Sequence, residues 1–157
     1  MKNFFLVLVI LLAGVVCSSA QSTVYFFMRS SSNSTCTMKL NGKEVFDMRG
    51  PLQKTQKAVG PMIYPLQVYS PSKRKCTFKN KGKMLFTFDM KYKVPTTGEV
   101  KNYLAEIQLN LTESSVHYVR IGAKGLNDVQ FKELTQKEGE KLLKDKKYVF
   151  LPDYVEK

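Results

Sequence analysis

Few residues in this chain are equipped to do chemistry. His117 is the only histidine. In VHYVRI it shares a strand face with Val119 and Ile121, the setting of a buried or half-buried structural histidine. A serine hydrolase would need a nucleophile beside that ring and a third group to orient it. Ser114 and Ser115 lie too near in sequence to supply that geometry, and no G-x-S-x-G elbow occurs. A glycosidase pair could be drawn from the 13 acids, but none stands in an apolar stretch that would raise its pKa. No catalytic residue is therefore assigned, and a hydrolase of unknown type ranks behind two non-catalytic readings. Two cysteines with a lone histidine lack metal-ligand spacing, so neither a metal nor a cofactor is implied.

Positive charge is the more prominent resource. Lys and Arg number 25 against 13 acids, a net charge of +12 at pH 7. Such an excess favours anionic partners and speaks to association rather than to fold. It falls in three bands. The first is KRKCTFKNKGK, with Lys73, Arg74, Lys75, Lys79, Lys81 and Lys83. The second is Lys91 with Lys93, and the third is Lys137, Lys141, Lys144, Lys146 and Lys147. The third reads as a solvated helix face, paired in part with Glu138, Glu140 and Asp145. The first two are the candidate polyanion-binding residues. If 73–83 and 84–94 form a hairpin, their outward lysines adjoin. Like charges facing each other across a ladder are mildly unfavourable, so they are either left to solvent or used on an anion. Phe78, Phe86 and Phe88 look inward, which leaves no stacking platform. That disfavours nucleic acid relative to an acidic glycan or an anionic membrane surface.

The first twenty residues, MKNFFLVLVILLAGVVCSSA, set the compartment. Lys2, an apolar run from Phe4 to Val16 and the small residues Ser18-Ser19-Ala20 describe a cleaved secretory signal peptide over 1–20. The run is short of the roughly 20 residues a membrane span needs. Lipidation at Cys17 is disfavoured, because Val16 is the wrong shape for a lipoprotein site. The expectation is a secreted protein, periplasmic or on the outer surface if bacterial, with 21–157 forming one domain. Cys36 and Cys76 then remain as an even pair in an exported chain, and one disulfide is the simplest expectation. Closing a loop of about 40 residues would contribute roughly 4 kcal/mol. Asn33-Ser34-Thr35 and Asn110-Leu111-Thr112 are N-glycosylation sequons that matter only in a eukaryotic source.

The elements that must hold these residues are mostly strands. TVYFFMR opens the exported chain, and CTMKL alternates with Cys36, Met38 and Leu40 on one face. Asn41-Gly42 before KEVFDM predicts a type I′ hairpin. From Arg49 to Pro61 the chain reads as a loop, followed by a strand, MIYPLQVY, in which Pro65 argues for an edge or a bulge. MLFTFDMKYKV predicts Met84, Phe86, Phe88, Met90, Tyr92 and Val94 on one face. YLAEIQLNL turns Ala105, Ile107, Leu109 and Leu111 inward. VHYVRI and VQFKEL follow as strands. Thr135-x-x-Glu138 is a capping box that starts a helix over about 135–146, with Gly139 weakening it. The tail YVFLPDYVEK reads as a last edge strand or a loop. The expected class is all-β, an antiparallel β-sandwich of about seven or eight strands with one short C-terminal α-helix.

The order TVYFFMR, MKLNGKEVFDM, YPLQVYSPSKRKCTF, SVHYVRI and VQFKELTQKEGEKLLKD resembles an exported, mainly bacterial β-sandwich family, domain of unknown function 2846. The resemblance spans most of Gln21 to Asp145 on short motifs. The chain departs from it at Ser70-Pro71-Ser72-Lys73, where the family tends to have Gly and His, and in a longer 49–61 segment. The family has no established activity, so the resemblance implies a β-sandwich and export only. The leading expectation is a non-catalytic exported module that contacts an extracellular polyanion through a basic sheet face. The alternative is a structural or protein-interaction module with no polyanion ligand, pairing through an edge strand such as Thr23 to Arg29.

Overall fold

Alternation of apolar and polar residues sets the strands, and the computed structural model describes them over residues 21–29, 31–123 and 129–157. The expected signal peptide, 1–20, lies outside the described residues. The described residues are mostly β, with one short helix. A six-stranded sheet runs β11 (Val129–Leu134), β10 (Val116–Ala123), β1 (Ser22–Met28), β7 (Ser72–Phe78) and β12 (Val149–Phe150), with β13 (Tyr154–Val155) also on β7. A four-stranded sheet runs β4 (Lys43–Asp47), β3 (Ser34–Leu40), β8 (Gly82–Lys93) and β9 (Val100–Leu111). A third sheet is an arm of β2 (Ser31–Ser32), β6 (Met62–Tyr69) and β5 (Leu52–Val59).

The inward faces of the two larger sheets share one core. Val24, Phe26, Phe78, Val119 and Ile121 meet Met38, Phe86, Phe88 and Leu109. The rings of Phe26 and Phe86 lie 5.3 Å apart at their centroids. Each such buried ring contributes roughly 1.5–3 kcal/mol of transfer free energy. The expected inward set of β8 is confirmed at Met84, Phe86 and Phe88, and that of β9 at Ala105, Leu109 and Leu111. At the β3–β4 turn Asn41 has φ 47° and Gly42 φ 82°, the positive pair expected of this hairpin.

The helix α1 (Gln136–Lys144) begins at the expected capping box. Thr135 Oγ1 accepts from the Glu138 N–H, and the Glu138 carboxylate accepts from the Thr135 N–H at 2.9 Å. This carboxylate is held below the usual Glu range by those hydrogen bonds from the Thr135 backbone and hydroxyl. The helix lies over the outer face of the six-stranded sheet, with Leu142 and Leu143 against Phe27, Tyr118 and Leu134. Gly139, a weak helix former, is what lets it approach. A Cβ there would stand 2.1 Å from Cγ of Tyr118.

Five expectations change. The 49–61 segment is not a loop: it supplies β5, which pairs antiparallel with β6 from Leu52↔Tyr69 to Val59↔Met62. Pro65 is tolerated because β2 pairs only with Val68 and Tyr69, leaving the Pro65 side of β6 without a second neighbour. The basic segment does not form a hairpin with 84–94, since β7 belongs to one large sheet and β8 to the other. Thr23 to Arg29 is not an edge either. β1 is flanked by β7 and, in parallel, by β10. The described residues hold thirteen strand segments where seven or eight were expected, partly through the arm and the short β2, β12 and β13.

The fifth change concerns the cysteines. Cys36 and Cys76 are both buried and both free, not paired. Cys36 lies at the Met48 end of the core, where its carbonyl accepts from the Met48 N–H and the Ser72 hydroxyl donates to the Met48 carbonyl. Cys76 is four residues further along β7, beside Val24 and Tyr154. Four residues of strand set Cys76 about 13 Å along β7 from Ser72, the β7 residue that reaches the Met48 end where Cys36 lies. Burial pushes both thiols up from their ordinary pKa, which keeps them protonated.

Candidate anion-binding site

The eight cations nominated from the sequence fall into separate environments. On β7 the core-facing positions are Ser72, Arg74, Cys76 and Phe78, so the alternation that buries Cys76 also turns Arg74 inward. The Arg74 guanidinium stands 4.9 Å from the Phe46 ring centre and donates to the carbonyls of Pro152 and, at 3.0 Å, Asp47. Burial lowers its pKa. It fastens the C-terminal tail to the body and is not a surface cation.

Lys73 faces the other way but is only 3% exposed. Its Nζ donates to the carbonyls of Leu143 at 2.6 Å and Asp145 at 3.1 Å, and lies 4.4 Å from the Phe150 ring centre. The last carbonyls of α1 have no partner within the helix, and an ammonium at that end also suits the helix dipole. Desolvation lowers the Lys73 pKa, and Asp145 partly opposes this. Lys73 and Arg74 are therefore withdrawn as polyanion-binding residues. Both are used inside the fold.

The rest of the first band is dispersed. Lys75 is half-buried on the outer face of the six-stranded sheet. Lys79 and Lys81 lie in the crossing between the sheets, where Lys81 pairs with Glu113 and the Glu156 carboxylate accepts from the backbone N–H groups of Lys79 and Asn80. Lys83 is exposed at the start of β8, opposite Asn110. Lys75 belongs to the other large sheet from Lys91 and Lys93, whereas Lys83 shares the outer face of β8 with them but at the opposite end of the strand, with Asp89 and its Lys39 partner between.

Lys91 and Lys93 do converge with other groups. Both are exposed on the outer face of β8, and they line a cavity of about 510 Å³ between that face and the arm. Arg49 enters the same cavity, with its guanidinium paired to Asp47 and 5.3 Å from the Tyr69 ring centre. Thr35, Gln67 and Tyr69 add hydrogen-bonding groups to the wall, and among the described residues no Asp or Glu lines it. Lys91 pairs in register with Thr35 and Asn102, so no acid stands directly opposite it. Arg49 was missed in the sequence because its segment lacks strand alternation.

The first sequon sits in that cavity. Asn33, at φ 47°, accepts the Gln67 N–H on its side-chain oxygen at 2.8 Å, and its backbone bonds Gln67 and Lys93. It is a half-buried hinge between the arm and the four-stranded sheet. Asn110 by contrast is exposed on β9. His117 is half-buried, as expected, with Nδ1 2.7 Å from Glu133 Oε1 and Nε2 buried without a partner. It lines neither this cavity nor the one at the end of the six-stranded sheet. Among the described residues no helix is long and apolar enough to cross a membrane. Compared with family models, curated proteins and solved structures, the chain finds no match in any of the three.

Proposed function

We propose that the protein is a non-catalytic exported binding module that takes an acidic glycan in the cavity beside Lys91 and Lys93. The reading includes a β-sandwich body formed by the two larger sheets, a cleaved signal peptide over 1–20, and kinship with the exported family that the sequence resembles. One observation carries it: two exposed lysines and an arginine line a cavity to which, among the described residues, no carboxylate contributes. A sulfated or uronic-acid sugar needs this combination, cations for the anionic groups and side-chain amides and hydroxyls for the ring oxygens. The concave shape favours a glycan chain over a membrane surface, which a flat or convex face would meet better. Retention on immobilised heparin tests it. The Lys91→Glu/Lys93→Glu variant should elute at lower salt than the parent, and equal elution would remove the proposal.

A second reading, a protein-interaction module, draws on a different observation. β9 is a sheet edge and exposes Val100 (56%) and Leu104 (62%). Exposed edges are templates for pairing with another chain. Analytical ultracentrifugation of the parent and of Leu104→Lys separates the two readings, since only self-pairing through β9 predicts a change in mass.

A further inference from the structure

The six-stranded sheet ends beside Met28 and Gly122 in a second cavity, of about 520 Å³, which shares only Ser34 with the Lys91–Lys93 cavity. Its accessible apolar lining is Met90, Tyr92 and Tyr103 of the four-stranded sheet, over a closed floor of the buried Met28, Phe88, Ile121 and Val129. Among the described residues its cations are Arg29, Arg120 and Lys132, and no Asp or Glu of them lines it. An apolar interior with a few convergent polar groups, in this range of volume, is the usual form of a small-molecule site.

The arrangement of the cations is unfavourable without a ligand. Arg120 on β10 and Lys132 on β11 are direct cross-strand partners, and like charges so placed repel. The nearest carboxylate is a weak remedy. Glu138 lies 3.8 Å from Lys132 Nζ, and its other oxygen is already committed to Thr135 at the start of α1. By strand alternation Arg120 and Lys132 stand on the opposite side of the sheet from Ile121 and Val129. The cavity therefore wraps around the end of the sheet, past Gly122, where the space a Cβ would enter is open.

We propose that this cavity binds a single-chain anionic amphiphile, with its alkyl chain against Met90, Tyr92 and Tyr103 and its carboxylate at Arg120 and Lys132. Arg29 adds a third cation at the head-group end. Charge complementarity selects the head, and the apolar lining selects the chain. The site is separate from the glycan cavity and does not depend on it.

Isothermal titration of the exported chain with decanoate, decanol and acetate tests the proposal. Decanoate should bind about tenfold or more tighter than decanol, as expected for a charge-assisted contact, and acetate should not saturate. Arg120→Gln/Lys132→Gln should weaken decanoate about tenfold or more and leave decanol unchanged. Gly122→Leu, which meets open space, should weaken both ligands without lowering the melting temperature. Lys91→Glu/Lys93→Glu should bind decanoate like the parent. The proposal is overturned if decanoate fails to bind or binds no tighter than decanol. Acetate matching decanoate, or the Arg120→Gln/Lys132→Gln variant binding decanoate as the parent does, would overturn it equally.

Discussion

Replacing Lys73 by Met separates a cation that builds the fold from one that meets a ligand. The substitution keeps most of the apolar stem and removes the ammonium that donates to the Leu143 and Asp145 carbonyls. Two bonds from a charged donor contribute roughly 1.5–3 kcal/mol each. The favourable position at the helix C-terminus adds about 0.3–1 kcal/mol, and the Phe150 ring about 0.5–1 kcal/mol. Burying an ammonium opposes these gains by several kcal/mol, in order of magnitude, and desolvation is the main cause of the lowered Lys73 pKa. The net loss expected for Lys73→Met is about 2 kcal/mol, or a fall in Tm of about 6 °C for a chain of this size. Thermal unfolding followed by circular dichroism measures it, with Lys91→Met as an exposed control expected to stay within about 0.5 kcal/mol of the parent. Heparin retention of Lys73→Met, measured well below its Tm, should equal that of the parent. A variant that melts like the parent but loses heparin retention would refute the assignment, because Lys73 would then be a surface ligand.

Gly139→Ala should lower stability by about 1–3 kcal/mol through overpacking on Tyr118, although alanine is the better helix former by about 1 kcal/mol. A rise in Tm would contradict the close helix–sheet contact. The Cys36 and Cys76 thiols should stay unreactive to a thiol reagent in the native protein and react fully in denaturant without reductant. A mass two units lower in the absence of reductant would instead mean that Cys36 and Cys76 pair. Glu138 is held below its ordinary pKa, chiefly by the Thr135 backbone hydrogen bond. Its stabilisation is therefore present above the usual Glu range of about 4.3 and is lost as pH falls through the lower native value. Glu138→Gln should flatten the acid side of the stability profile, and an unchanged slope would remove Glu138 from that account.

Which residues face the core was largely legible, because strand period fixes side-chain direction. Phe86, Phe88, Leu109 and Leu111 are buried as the alternation requires, and Thr135 and Glu138 start the helix as their spacing requires. The identity of each strand's neighbours was not legible. The β1–β10 pairing joins Thr23 to Val116 in parallel, and no local pattern records a contact so distant in sequence. The same gap explains the cysteines, whose inward parity was read correctly while their offset along the core was not. It also explains the basic segment. Parity alone turns Arg74 inward, whereas the burial of Lys73 needs the end of α1 to arrive beside it. Within the arm β5 escaped notice, unlike β6, because LQKTQKAV lacks both alternation and β-branched density.

The central claim is that the cavity between β8 and the arm, rather than the 73–83 segment, meets the anionic glycan. Amide chemical shifts of the exported chain during titration with a heparin hexasaccharide test it most directly. Saturable shifts should gather at Thr35, Arg49, Gln67, Lys91 and Lys93, weaken as salt rises, and leave Lys75 and Lys79 in place. Shifts centred on Lys75 and Lys79, or none that saturate, would contradict it.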